Sequence, residues 1–489
     1  MTTRATTVLG ASSAGSVQWD AIHWPSIERQ VRRLQMRIAK AVRERRWGKV
    51  KALQWLLTHS FSAKLLAVQR VVHNPGCRTP GVDRVVWRTA VQKMRAARSL
   101  KRRGYHPQPL RRLYIPKKSG KLRPLSIPAM SDRAMQALHL RALEPVAESQ
   151  ADRNSYGFRP YRSTADAMMQ CFTVLAQKQS APWILEGDIQ ACFDQISHEW
   201  LEAHIPMDSS VLRKWLAAGY IEKEVFYPTE AGTPQGGIAS PCLANMTLDG
   251  LEQAATKAAP RHAKIHVARF ADDFIVTAAS KEVLEQQVTP AIEAFLRTRG
   301  LVLSPEKTKI THIDEGFDFL GWHFRKYSGK LFVKPSKANV KAFLTKVREV
   351  IKSHPTAKTV NLIQQLNPMI RGWANYHRHV VAKQTFNHVD NSIYLALRRW
   401  IKRRHPHKNA RWRRQRYFRS QGVRQWIFSA KLQHKDGRTG YLDLLKASST
   451  AIRRHVKMKG EATPYDPKYT DYLERRKRAS TVKAYAWES

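Results

Sequence analysis

Residues 266–280, "HVARFADDFIVTAAS", decide how this chain is read. Two carboxylates, Asp272 and Asp273, stand side by side between the strand-like, burial-prone runs Val267–Phe270 and Phe274–Thr277. The pattern predicts a hairpin with the acids at its turn. Ionised carboxylates in such surroundings are costly unless a cation neutralises them. Alone, an Asp-Asp pair is more often an exposed turn. A second stretch changes that weighing: "PWILEGDIQACFDQI" (182–196) starts as a buried strand and runs straight into Asp188. If the two strands are neighbours in one antiparallel sheet, the carboxylates converge at one edge. Carboxylate oxygens with room for water suit Mg²⁺, a hard ion that also takes phosphate oxygens. Adjacent strand residues point to opposite faces, so only a turn lets both Asp272 and Asp273 face a metal. Asp272 is expected as the main ligand and Asp273 as the accessory one.

Charge names the class of partner. The 489 residues hold 85 Lys and Arg against 38 Asp and Glu, a net charge of +47. Such an excess opposes compaction in a lone protein and points to a polyanionic partner. Ribosomal proteins and histones share it, so charge does not fix the job. Cys77, Cys171, Cys192 and Cys242 are scattered singly, which suggests neither a zinc knuckle nor a disulfide framework and fits a reducing compartment. No apolar run approaches the ~18 residues of a membrane span, so no membrane partner is expected. The Ser/Thr-rich start reads as a disordered leader rather than an organellar transit peptide. The cytoplasm is the expected location, ahead of an organelle.

Working outward, "PSIERQVRRLQMRIAKAVRERRW" (25–47) predicts a helix with Ser26 as N-cap and Ile27, Val31, Leu34, Ile38 and Val42 on one face. Its other side, with Arg32, Arg33 and Arg37 among seven arginines, is almost single-signed and favours phosphate contact. "LRRLYIPKKSGKLRPLSIP" (110–128) reads as strand, Ser-Gly turn, strand, with cations at the tip. Helices are expected near 131–149, 163–178, 198–218 and 281–299, and "TPQGGIASPCLANMTLDGLEQ" (233–253) as a Gly-rich turn entering a helix. Short strands are expected over 301–324. Beyond about residue 340 the chain turns helical and basic, most strongly in "RRWIKRRHPHKNARWRRQRYFRS" (398–420). The whole reads as an α+β body followed by a helical basic region.

At this point the residues carry a resemblance. "FADD" within "ARFADDFIV" resembles the Tyr-x-Asp-Asp box of reverse transcriptases, with Phe270 in place of Tyr. "ILEGDIQACFDQI", "GTPQGGIASPCLAN", "YGFRPYRSTADA", "LSPEKTKI" and "FDFLGWHF" resemble further blocks in the family's order. "TPGVD", "RPLSIP" and "RGWANYHR" point more narrowly to the reverse transcriptase/maturases encoded in group II introns. The resemblance spans roughly 65–400 and implies a right-hand polymerase: fingers, an antiparallel-sheet palm, a helical thumb and a small basic C-terminal DNA-binding domain. The implied division is 1–65 basic N-terminal extension, 66–340 fingers and palm, 341–405 thumb and maturase domain, 406–489 DNA-binding domain.

The implied activity is RNA-directed DNA polymerisation joined to intron-RNA binding, splicing assistance and retrohoming. Its partners would be intron RNA, target DNA with a primer, and deoxynucleoside triphosphates. Asp188, Asp272 and Asp273 become the catalytic carboxylates. Asp188, Asp272 and the backbone at Ile189 become holders of two Mg²⁺ ions, with Mn²⁺ as a substitute. Phe193 matches the ring that crowds a 2′-hydroxyl, a discrimination by clash. Gln235 matches the residue over the incoming nucleotide. Arg123 and Lys117 (or Lys118) match fingertip cations that grip the triphosphate. Lys307 falls near the primer terminus.

Nucleic-acid contacts are expected from Arg32, Arg33, Arg37, Arg371, Trp373, Arg411, Arg413 and Arg414, although core packing competes for the "RGWANYHR" rings. Many family members end in an endonuclease with paired cysteines. No Cys follows Cys242, so no endonuclease domain is expected and the primer for target copying would come from elsewhere. A splicing-only maturase would lose the carboxylates, all of which are here. A reverse transcriptase domesticated for host defence would lose "RGWANYHR".

Overall fold

The computed structural model describes residues 19–116, 120, 122–422, 424–433 and 439–485, of which 479–485 as backbone. Strands β1 (Leu110–Pro116) and β2 (Leu122–Ile127) form the expected basic hairpin, joined by β4 (Tyr220–Glu222) and β5 (Val225–Tyr227) in the order β2-β1-β4-β5. The expected palm sheet is built from β3 (Trp183–Asp188), β6 (His266–Phe270), β7 (Asp273–Ala278) and β8 (Lys309–His312), ordered β6-β7-β3-β8 with every pairing antiparallel.

This sheet lies between two cores, and its alternation shows why. Leu185, Val267, Phe274, Val276 and Ala278 point into a core shared with the helix Met130–Gln150 and the N-terminal helices. Ile184, Ala268 and Ile275 point the other way, into a core with Trp322 and the C-terminal helices. Two-sided burial requires apolar residues at both parities, and this is how these strands read. Toward one end the second core stops short, and the side chains that follow Ile184 at two-residue spacing, Glu186 and Asp188, are polar.

A small sheet of β9 (Phe317–Phe319), β10 (Trp322–Tyr327) and β11 (Lys330–Pro335) leads into helices Lys337–Ser353, Thr359–His377 and Lys383–Arg404. Their contacts repeat at helical spacing, as in Leu344, Val347, Ile351 and in Phe386, Val389, Ile393, Leu397. The first helix runs Trp24–Arg43 with His23, not Ser26, at the N-cap; Pro25 occupies its first turn, where proline's fixed φ is pre-set for helix. The basic region past residue 405 is not wholly helical. After the helix Ala410–Tyr417 come β12 (Phe418–Gln421), β13 (Arg424–Gln433) and β14 (Thr439–Asp443), one antiparallel sheet whose Phe428 and Ala430 join the second core. Alternation too short to separate from helix hides it in the sequence.

The segment past residue 447 returns to the body. Asp166, fully buried, accepts from His455 Nε2 (2.9 Å), Met458 N (2.7 Å) and Arg476 Nη2 (2.8 Å). Those donors hold its carboxyl down at about 2, against the opposing effect of burial. Arg162 Nη2 donates to the carbonyls of Gly460 (3.0 Å) and Ala462 (3.2 Å), and Tyr465 donates to Glu144. These residues strap the C-terminal segment onto the helices behind the palm.

Candidate active site

Register sets the site. In the β3–β7 pairing Asp188 lies directly opposite Asp273, so both side chains stand on the same face. The β6–β7 hairpin closes at the Phe270–Asp273 pair, leaving Ala271 and Asp272 as a two-residue turn with Ala271 left-handed (φ 59°). Thus Asp273, expected as the accessory acid, makes the direct contact with Asp188, while Asp272 sits at the turn.

The turn is held from below by residues that the sequence did not single out. Gly157 lies so close that a Cβ there would fall 2.3 Å from the Ala271 nitrogen. Tyr156 N donates to Arg269 O and Arg269 N to Asn154 O, each 2.9 Å, which sews the "YGF" loop to β6. The Arg269 side chain, 1% exposed, pairs with Asp249 (2.7 Å) and donates to Asn245 Oδ1 (3.2 Å). Nothing in an apolar strand run tells which arginine turns inward. That is decided by the helix presenting Asn245 and Asp249.

Electrostatically the acids crowd one another. Burial, then Asp272, then a hydrogen bond with Asp188 push the Asp273 carboxyl up to about 7. Burial also raises Asp272, with Asp188 adding to it while Lys307 and Arg123 act against it. Among the described residues one cation is in direct contact: Lys307 Nζ donates to Asp188 Oδ2 at 2.7 Å. Two residues along β3, Glu186 pairs with Lys309 (3.1 Å). Carboxyl groups crowded closely enough to raise Asp273 in this way mark a site short of positive charge, and a divalent cation fits it. Among the described residues no group of three or more His, Cys, Asp or Glu side chains forms a ligand set. Mg²⁺ is commonly held by one or two carboxylates plus substrate oxygens and water. Beyond Asp188 the chain pairs with 302–304 through Ser304 N to Asp188 O (2.8 Å) and Gln190 N to Val302 O (3.0 Å). The Ile189 carbonyl takes no part in those bonds.

The other expected residues are placed as follows. Phe193 is partly buried beside Phe158 (centroids 6.1 Å). Its carbonyl accepts from Thr233 N (2.6 Å), and Gln235 Nε2 donates to Asp194 Oδ2 (3.1 Å), so the Gly-rich loop abuts the segment that follows Asp188. The loop is also pinned to the β1–β2 hairpin: Ser126 N donates to Gln235 O (2.7 Å), and at Gly236 (φ 118°) a Cβ would meet Ser126 O at 2.8 Å. Arg123 is exposed on β2, close enough for its charge to act on Asp272. Lys117 and Lys118 lie outside the described residues.

Arg32, Arg33, Arg37, Arg371, Arg411 and Arg414 are exposed, and Arg413 is half-buried. Trp373 is a correction. Its ring is 9% exposed, stacks on Phe343 (4.7 Å) and donates its N–H to Asn339 Oδ1 (2.8 Å), so it packs the helical core and offers nothing to nucleic acid.

A palm sheet carrying these carboxylates, with a Gly-rich loop beside it, defines a polymerase of the reverse-transcriptase class. Residues 115–324 match the family model described as reverse transcriptase (RNA-dependent DNA polymerase), and 19–100 match the N-terminal domain of reverse transcriptase. Residues 340–418 match the group II intron maturase-specific domain. Protein YkfC of Escherichia coli (strain K12) is 33% identical over 300 residues, 52% of this chain and 78% of YkfC. The group II intron-encoded protein LtrA of Lactococcus lactis subsp. cremoris is 29% identical over 364 residues, 58% of this chain and 60% of LtrA. An uncharacterized 91 kDa protein in the cob intron of Schizosaccharomyces pombe is 28% identical over 429 residues, 70% of this chain and 52% of that protein. The chain belongs to the group II intron reverse transcriptase/maturase family. Among the described residues no helix is long and apolar enough to cross a membrane.

Proposed function

We propose that this protein copies RNA into DNA by a two-metal mechanism and, bound to its intron RNA, assists splicing and retrohoming. The observation that carries the chemistry is the register placing Asp188 opposite Asp273, with Asp272 on the adjoining turn. Asp188, Asp272 and the Ile189 carbonyl would hold two Mg²⁺ ions, or Mn²⁺ in their place. Bound there, such ions supply Lewis acidity at the primer 3′-hydroxyl and counter-charge for departing pyrophosphate. Asp273, its carboxyl raised by burial and by the neighbouring acids, gives up its proton when positive charge arrives. Arg123 and Lys117 grip the triphosphate of the incoming deoxynucleotide. Phe193 crowds a 2′-hydroxyl, and Gln235, anchored through its backbone, lies over the base. Lys307 exchanges its bond with Asp188 for contact near the primer terminus.

In this reading residues 1–65 extend the fingers and palm (66–340), 341–405 form the thumb and maturase domain, and 406–489 contact target DNA. The setting is a ribonucleoprotein in a bacterial cytoplasm. The exposed arginines of the Trp24–Arg43 helix and of 411–414 supply phosphate contacts with steep salt dependence and little base selectivity. Primer extension on an RNA template tests the chemistry: Asp272→Ala should abolish it while splicing of the intron persists, because RNA folding needs surfaces. Equal extension by variant and wild type would remove the mechanism.

A further inference from the structure

We propose that a cage of three rings between the thumb and the C-terminal sheet binds one unpaired nucleobase of a single strand. Tyr394 on the helix Lys383–Arg404, Phe418 at the start of β12 and Trp426 on β13 stand 5.7, 6.3 and 6.2 Å apart by centroid, at 63°, 76° and 56°. Packed against one another, they line a cavity of about 280 Å³ together with Ile393, Leu397 and Phe428. That volume is at the small end of ligand sites, ~300 Å³ upward; it admits one planar ring system.

The cage is built by a backbone irregularity. Trp426 is left-handed (φ 60°), and the β12–β13 register shifts between Arg419 and Gln421. A bulky residue rarely adopts that conformation, and bulges commonly re-aim a side chain. The result is an indole 40% exposed beside an apolar cavity.

Charge selects the occupant. A three-ring cage could otherwise take an alkylated ammonium. Here Arg414 lies 4.3 Å from the Trp426 ring, Arg398 lies 5.8 Å from that of Tyr394, and Lys446 lines the cavity. Among the described residues lining it the one acid, Asp390, already accepts from Ala447 N (2.7 Å) and Ser448 N (3.0 Å). A cationic guest is repelled; a neutral aromatic guest on an anionic backbone is attracted at both ends, as in single-strand binding surfaces. Among the described residues the Tyr394 hydroxyl and the Asn391 and Gln425 side chains make no hydrogen bond, which leaves them to meet the edge of a base. The inference rests on reading 406–489 as a nucleic-acid surface.

The test uses the full-length protein and a short single strand carrying 2-aminopurine, made as DNA and as RNA. Wild type should quench the probe. Trp426→Gly, which suits the left-handed backbone, should restore its emission and weaken binding about ten-fold, with the salt slope unchanged. An abasic substitution should cost wild type the same factor and cost the variant nothing. Stronger quenching of DNA assigns the base to the target, and of RNA to the intron. Unchanged quenching and affinity in Trp426→Gly would overturn the cage. If the combined Arg411→Gln, Arg413→Gln and Arg414→Gln protein also keeps the wild-type salt slope, the reading of the whole region fails with it.

Discussion

Gly157→Ala should separate catalysis from everything else the protein does. The added Cβ would lie 2.3 Å from the Ala271 nitrogen and 3.0 Å from both Ala271 Cα and Phe270 C, all backbone of the acidic turn. Ordinary contact begins near 3.4 Å, so about 1 Å of separation must be found. The "YGF" loop cannot supply it alone, since Arg159 ties that loop to Glu148 by two bonds of 2.8 and 3.0 Å, both partners buried. Part of the shift falls on Ala271 and with it on Asp272. A reacting group displaced by about 1 Å loses on the order of 100-fold in rate, or ~2.7 kcal/mol of barrier. Single-turnover primer extension at saturating nucleotide should show this loss, while intron-RNA affinity stays within two-fold of wild type, a change of under ~0.5 kcal/mol. Gly372→Ala is the control. Nothing lies within 4 Å of that position, which is exposed in the helix Thr359–His377, so alanine should add about 0.5–1 kcal/mol of stability. A Gly157→Ala enzyme extending at the wild-type rate would refute the claim that this glycine sets the position of the turn.

Other expectations follow from the same geometry. Arg162 Nη1 also donates to buried Glu148 Oε2 (3.1 Å), so Arg162→Ala leaves Glu148 with Arg159 alone and frees the carbonyls of Gly460 and Ala462; a loss of about 3 kcal/mol should appear in denaturant melts. Faster amide exchange over 455–478 should accompany it, and unchanged exchange there would show that the strap does not depend on this arginine. Burial holds His139 and His377 down at about 4. Between 6.5 and 4 the unfolded chain therefore binds protons that the native state refuses, so stability should fall as pH drops through that window. His377→Gln should flatten its share of the fall in melting temperature against pH. Asp273, raised to about 7, should shed its proton when Mg²⁺ binds: titration in weak buffer at pH 6.5 should release protons, and far fewer at pH 8.5. Equal release at both values would mean that Asp273 holds no proton near neutral pH. Phe193→Ala should admit ribonucleotides in primer extension, and unaltered selectivity would assign that ring to packing alone.

The chain's own order of residues determined a good deal. Apolar runs ending in Asp188 and in Asp272–Asp273 announce strands that stop at acids, because period and polarity are local properties of a strand. The basic hairpin tip, the Gly-rich loop and the excess of Lys and Arg are equally local; the charge gives the nature of the partner, and the resemblance of the ordered motifs to a known family gives the class of enzyme. Tertiary structure decided the rest. Which acid meets Asp188 depends on a register between strands far apart in the chain, fixed by burying Leu185 and Phe274 on one side and Ile184 and Ile275 on the other; a one-residue slip would reverse every face. Whether Trp373 binds nucleic acid or fills a core depended on Phe343 and Asn339 arriving from another helix. That Arg269 and Gly157 hold the acidic turn, and that the C-terminal segment straps onto Arg162 and Asp166, could not be read along the chain, since the partners in each contact meet only after folding.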